Sequence, residues 1–471
     1  MMHLTVLTHE ELDAIHQATL RILGEVGVLL KQPEAVQMLT GAGAAFHDER
    51  VFIPADLVEW AITQCPQTAA IKGRGGDTVT LGDGTLHWHN LGGARDIYDP
   101  HSGGLRRAAL ADVCNSARLL DALTSVTTVT PFFTPIDVPG PLMALAMYRN
   151  TLPHTTKPVQ GPGVQTAQET RLAIEMASVI GQPSEVLTLG ISPVSPLIFP
   201  DDVVEAMLET ARHKVTLGPL PCPTAGATAP MSLAGSLAQQ NAEILASIVL
   251  VQLIQPGLPI VYTGRLAMME PRTGLSVWGG VELGLVSAAT VQLGHHYGLP
   301  VNVYGLSTNA HDLSIQNGYE RALNAAIPAL AGADELSGIG EMQAGVAGSF
   351  AQMVCDDEIA RSVARLRKGF TVNEDSLAVE VIASVMAGNR NYLGQRHTKS
   401  YLRSGEIFMT ELAERGSWED WDRKGRLGMA EHAQEKAERL LAEHRPAPLS
   451  EDQDKELDRI MHAAADILGT A

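Results

Sequence analysis

Residues 215–245 read VTLGPLPCPTAGATAPMSLAGSLAQQNAEIL. The stretch opens as a short apolar run ending in Pro and Thr. It passes through a loop of Gly, Ala, Thr and Pro, small enough to let a ligand approach the backbone, and closes as a helix carrying Asn241 and Glu243. Strand, small-residue loop, helix is therefore the unit, and it recurs on both sides. Further apolar runs stand at Val126 to Phe133, Lys157 to Gly161, Val186 to Ile191, Pro259 to Gly264, Pro300 to Gly305 and Glu335 to Ile339. Most are followed by amphipathic helices. Between Asp201 and Lys214 acidic residues start the helix, Val203, Val204, Met207, Leu208 and Ala211 form one face, and Arg212, His213 and Lys214 end it, as the helix dipole favours.

Regular alternation of strand and helix predicts an α/β fold with a parallel sheet. Seven units can be assigned from the sequence, and an eighth is expected near Ser349 to Val354. A closed eight-stranded barrel is preferred to a doubly wound sheet, which more usually carries a nucleotide-binding glycine fingerprint. Here Gly338 and Gly340 are followed by Gly345, breaking the G-x-G-x-x-G spacing, and Gly161 with Gly163 lacks a third glycine. There is no Walker loop, G-x-S-x-G elbow or H-E-x-x-H.

Outside the repeats, Thr8 and Glu11 form a capping-box signature ahead of a first helix. The Gly82-Asp83-Gly84 turn between Thr78–Leu81 and Leu86–His89 predicts a β-hairpin. Pro446 and Pro448 divide a charged C-terminal part into two helices, packed on the barrel or on another subunit of a homo-oligomer. The expected division is an N-terminal helix and hairpin extension over 1–120, a (β/α)8 barrel over 121–370 and a C-terminal helical extension over 371–471.

Composition narrows the functional classes. The 471-residue chain is 45% hydrophobic, enough for a large core, and its net charge of −19 argues against a nucleic-acid partner. Four separated cysteines without a C-x-x-C pair fit a reducing, cytoplasmic setting, and no signal sequence or continuous apolar run of about 18 residues points to a membrane. His87 and His89 alternate along one strand face as a potential metal pair, but no third ligand is evident, so no metal is assigned.

In a barrel, functional residues are expected where strands end. Aromatics are only 4% of the chain, yet Phe132, Phe133, Tyr262 and Tyr304 fall at or near such ends, and Trp88 and Trp278 lie in or beside glycine-rich loops. A group of aromatic faces suits a quaternary ammonium, whose charge no conventional hydrogen bond can meet. Taken singly, each ring is more simply core packing.

The chain also resembles the trimethylamine methyltransferase family, in its branch without pyrrolysine. The resemblance rests on Thr224 to Pro230 followed by Asn241-Ala242-Glu243, on Arg272-Thr273-Gly274, on Tyr297-Gly298-Leu299-Pro300 and on His397-Thr398 after Asn391-Tyr392-Leu393. Gly92-Gly93 before Tyr98-Asp99, and Thr156-Lys157-Pro158-Val159, add to it, and it extends to about Gly425. The resemblance implies a barrel that passes a methyl group from a methylated amine to the cob(I)alamin of a separate corrinoid protein, with no tightly bound cofactor of its own. Ordinary amino acids throughout imply a betaine-like quaternary amine, as for glycine betaine methyltransferases, rather than trimethylamine.

Trp88, Tyr262, Tyr304 and Phe350 are the cage candidates. Arg265, where the family more often places an uncharged residue, is a candidate anchor for a carboxylate, against the alternative of a surface arginine paired with Glu270. Asn309 and His311 are expected in a substrate-facing loop. Asp312 is a helix cap or a catalytic candidate, and Glu341 could face the cation. The main task is positioning rather than acid–base chemistry. Two alternatives are a non-catalytic barrel that binds a quaternary amine, and a methyltransferase with another acceptor such as tetrahydrofolate.

Overall fold

The computed structural model describes residues 2–100 and 102–469. Its centre is a ring of eight extended segments. Thr188–Ile191 pairs in parallel with Thr216–Pro219, Leu217 bridges Ile260, and Tyr262–Gly264, Val301–Tyr304 and Glu335–Ile339 continue in parallel order. Glu335–Ile339 then pairs in parallel with His87–Asn90. Thr127 N–H donates to Trp88 O at 2.9 Å, Val129 bridges Val159, and Gly161 N–H donates to Thr188 O at 2.8 Å, which closes the ring. A helix follows each segment, from Leu110–Ala122 to Phe350–Lys368.

The missing strand is thus His87–Asn90, at the front of the ring and not near Ser349, whose side chain caps the helix Phe350–Lys368 by accepting from Gln352 N–H. The barrel accordingly begins well before residue 121. The sequence places Leu86–His89 in an arm of the hairpin and not in the barrel, because polar side chains turned into a barrel leave no apolar run to mark a barrel strand. The hairpin exists, but its arms are Ala69–Lys72 and Thr78–Leu81. Alternation puts Ala69, Ile71, Val79 and Leu81 on one face, packed with Val261 at the entry to the sixth strand. The hairpin therefore covers the amino-terminal end of the barrel.

Within the last strand the register shifts between Leu336 and Ile339. Gly338 sits there at φ 113°, and a Cβ would lie 2.4 Å from Leu306 O, so only glycine fits the bulge.

The helix Leu233–Ile254 is apolar on all sides and long enough to cross a membrane, but 89% of its apolar window is buried inside the protein. It packs against the capped first helix, His9–Arg21, and the helices Ala55–Gln64 and Asp201–Arg212. Two of its buried polar residues, Asn241 and Glu243, tie it to its neighbours. Asn241 Nδ2 donates to Thr19 Oγ1 and Tyr297 Oη, and Glu243 accepts from Ser195 Oγ at 2.7 Å and Leu197 N–H at 2.9 Å. Burial raises the Glu243 carboxyl above its usual range. At the C-terminal end, Met429–Glu443 packs on Phe350–Lys368, and Glu451–Ile467 packs on Ala167–Ile180.

Candidate active site in the barrel

A cavity of about 620 Å³ runs from the floor hairpin through the barrel into the loops beyond Asn90, Thr130, Gly161, Leu220 and Gly264. Strand alternation decides what faces it. Parallel neighbours in register share a face, so Asn302 and Glu335 point inward together, and Tyr304 and Ser337 do so one step closer to the mouth. His89, Thr128, Thr130, Gln160, Thr263 and Arg265 add to the polar lining within the barrel, and Gln165 and Glu169 line it as well.

Glu335 is the hub, 1% exposed. Its Oε1 accepts from Thr128 Oγ1 at 2.6 Å and Gln160 Nε2 at 3.2 Å. Its Oε2 accepts from Gln160 Nε2 at 3.1 Å and Asn302 Nδ2 at 2.5 Å. Four donor contacts engage the lone-pair sites of an ionised carboxylate. His89 Nε2 stands 4.0 Å from Glu335 Oε2 and 2.9 Å from Asn302 Nδ2. Since Nδ2 can only donate, Nε2 is the acceptor and the imidazole proton lies on Nδ1, facing Thr130 Oγ1 at 3.4 Å. Burial pushes the His89 pKa down, against the pull of Glu335, and keeps the ring neutral.

Arg265 is 6% exposed, not a surface residue, and Glu270 pairs instead with Arg272. Its Nη1 donates to Gly264 O and Asn302 O, both at 3.0 Å, and its Nη2 donates to Asn302 Oδ1. The guanidinium lies over Tyr304, 4.7 Å from the ring centroid. Burial lowers its pKa, but a guanidinium remains charged at neutral pH. Trp278 packs edge-on against Tyr304, with centroids 4.9 Å apart.

Of the residues singled out from the sequence, the structure brings Arg265 and Tyr304 together at the cavity. Trp88 is buried in the apolar layer outside the strands. Tyr262 also turns outward, its hydroxyl donating to Asn241 Oδ1 at 2.8 Å. Phe350 packs edge-on with Phe133, 6.2 Å away. These three rings do not line the cavity, so among the described residues no ring of aromatic faces forms there, and the one tyrosine face they offer already carries Arg265.

Asn309 acts at one remove, because its Oδ1 accepts from Trp278 N–H and Gly279 N–H at 2.7 Å and fixes the loop that lays Trp278 on Tyr304. His311 is exposed, with only its backbone carbonyl held, by Tyr98 Oη at 2.5 Å. Asp312 is exposed and does not cap the next helix, where Ser314 holds the N-cap position. Glu341 is buried behind the cavity, accepting from Ser307 Oγ and Thr308 N–H. Burial pushes its carboxyl up to about 7. His87 faces inward beneath His89 with neither ring nitrogen hydrogen-bonded. Among the described residues no three His, Cys, Asp or Glu side chains converge as a metal site.

The residues that sequence reasoning missed are Thr128, Gln160, Asn302 and Glu335. Their signal was present in V-N-V-Y at 301–304 and in the glutamate that opens Glu335–Ile339: a polar side chain within an apolar parallel strand has only the barrel interior to face.

A parallel eight-stranded barrel whose polar cavity opens at the carboxyl ends of its strands has the layout of a barrel enzyme. The chain belongs to the trimethylamine methyltransferase family, whose model matches residues 1–466, and it is a methyltransferase. It is 30% identical to the trimethylamine methyltransferase MttB of Desulfitobacterium hafniense (strain DSM 10664 / DCB-2), over 98% of this chain and 94% of that protein. It is 28% identical to a glycine betaine methyltransferase of D. hafniense (strain Y51), over 96% of this chain and 95% of that protein. Among solved structures it resembles the monomethylamine methyltransferase MtmB of Methanosarcina barkeri, with a TM-score of 0.53 at 13% identity, covering 98% of this chain and 92% of that one. At that identity the likeness speaks for the fold.

Proposed function

We propose that the chain demethylates a small, betaine-like quaternary amine and that the methyl group passes to the cob(I)alamin of a separate corrinoid protein. The observation that carries the reading is the full-length similarity to methyltransferases of this family, one of them named for glycine betaine. The chemistry of the cavity suits it. In a quaternary ammonium the C–N bond breaks with its electron pair left on nitrogen, so a neutral tertiary amine departs and no proton has to move. The cavity accordingly needs no free general acid. His89 is neutral, and the Glu335 oxygens are occupied by donors from three neighbouring segments.

The protein's part is positioning and exclusion of water. The floor hairpin shuts one end of the barrel, which leaves the mouth as the route for a methyl acceptor. At Gly140 and Gly163, which line the cavity, nothing stands within 4 Å of where a Cβ would be, so the rim is open at these positions. The corrinoid partner would supply the nucleophilic cobalt.

The test is incubation with glycine betaine and its longer homologues in the presence of cob(I)alamin, with cob(II)alamin as control, following corrinoid methylation by absorbance. Binding without methyl transfer over the whole set would leave a binding barrel. Transfer seen only when tetrahydrofolate is added would reassign the acceptor.

A further inference from the structure

We infer that Arg265 is the carboxylate-reading group of the cavity, holding the substrate with its anionic end deep in the barrel and its methylated nitrogen toward the mouth. The inference rests on the reading of the substrate as a quaternary amine and adds what must stand at its other pole.

The argument is a count of donors. A guanidinium has five N–H groups in a planar fork. In Arg265 both Nη1 hydrogens go to the backbone carbonyls of Gly264 and Asn302, and one Nη2 hydrogen goes to Asn302 Oδ1. Nε–H and the second Nη2–H remain, and these two lie parallel on one edge of the fork. They are the pair that meets both oxygens of a carboxylate. Among the described residues no carboxylate approaches within 4.0 Å of this guanidinium and no protein acceptor takes either hydrogen. The side chain is 94% buried, being 6% exposed, and it lines the cavity. A buried cation with a vacant bidentate edge is costly unless something completes it.

Glu335 does not complete it. Its oxygens are saturated, and its contact with Arg265 runs through the Asn302 carboxamide, which accepts from Arg265 with Oδ1 and donates to Glu335 with Nδ2. It acts as a fixed counter-charge one side chain away, while the open edge of Arg265 is left for a ligand. Tyr304 holds the plane of the fork from its face.

The orientation follows from register. Thr263 pairs with Asn302 across the sixth and seventh strands, so Arg265 leaves the sixth strand beyond that level and turns back down to reach Asn302. An anion on its open edge lies within the barrel, and the rest of a short ligand extends toward the mouth. That direction presents an N-methyl group where an acceptor can arrive, which an inverted ligand would not.

The inference is tested by calorimetric binding, independent of methyl transfer, with glycine betaine, its methyl ester and choline as probes, the last two lacking the carboxylate. The wild-type chain is expected to bind glycine betaine at least tenfold more tightly than either neutral-ended probe. Arg265→Gln should abolish the preference while leaving choline affinity within about twofold, and Arg265→Lys, which keeps the charge and loses the fork, should retain only part of it. A wild-type chain without the preference overturns the inference, as does one that binds no carboxylate among glycine betaine and its longer homologues. So does a preference that survives in Arg265→Gln. Should the Gln variant fail to fold, as checked by its melting temperature, the Lys variant and the wild-type comparison still decide. A preserved preference without corrinoid methylation would instead sink the methyl-transfer reading and leave the role of Arg265 standing.

Discussion

Replacing Glu335 probes whether the interior network is a self-sufficient hydrogen-bonded unit. Glu335→Leu removes the acceptor of Thr128 Oγ1, Gln160 Nε2 and Asn302 Nδ2, which come from three different barrel segments. Each buried donor left without a partner costs about 1–3 kcal/mol. The leucine recovers some apolar burial and the Thr128 hydroxyl can rotate away, so the total should be about 3–6 kcal/mol. Glu335→Gln is the informative comparison. Its Oε1 can stay with Asn302, the Thr128 hydroxyl can reverse to accept, and the Gln160 carboxamide can flip, so only the charge-assisted part is lost, about 1–3 kcal/mol. Urea unfolding followed by circular dichroism reads both from the shift in midpoint at unchanged slope. Equal losses in the two variants, or no loss in Leu, would refute the reasoning, because water in the cavity would then be serving the donors and the carboxylate would hold nothing together.

Further expectations concern the buried charges. The Glu341 carboxyl, raised by burial from 4.5 to about 7, binds its proton more tightly folded than unfolded. Stability should therefore fall as pH rises from about 4.5 through 7. Glu341→Gln should remove that component, gaining up to roughly 3 kcal/mol over wild type at pH 8 and little at pH 5, by denaturation at both pH values. The neighbouring Asp356, also raised by burial, adds a slope of its own, coupled to that of Glu341 because the Asp356 charge is among the causes that raise Glu341. Tyr304→Leu removes the face that carries Arg265 and should weaken a carboxylate-bearing quaternary amine by about 0.5–2 kcal/mol in calorimetric titration with the fold intact. An unchanged affinity would show that the hydrogen bonds to Gly264 and Asn302 orient the fork without Tyr304.

Most of the ring could be read from the sequence. Period and length of the apolar runs located seven of the eight segments, the Thr8–Glu11 capping box located the first helix, and the prolines at 446 and 448 parted the last two helices. Those features are local: hydrogen-bond caps, helix amphipathicity and apolar strands act between residues close in the chain. Leu86–His89 could be read as a strand, but its place in the barrel escaped, because that comes from pairing with Glu335–Ile339, nearly 250 residues away. Arg265 and Tyr304 were found because strand ends are marked locally. That they stack, that Asn302 ties Arg265 to Glu335, and that Trp88 and Tyr262 turn outward depend on which side of each strand faces the axis, while Phe350 opens a helix that packs outside the ring. Side-chain parity in a closed barrel is set by register between distant strands, so residue type alone could nominate the rings for a site but could not say which of them reach it.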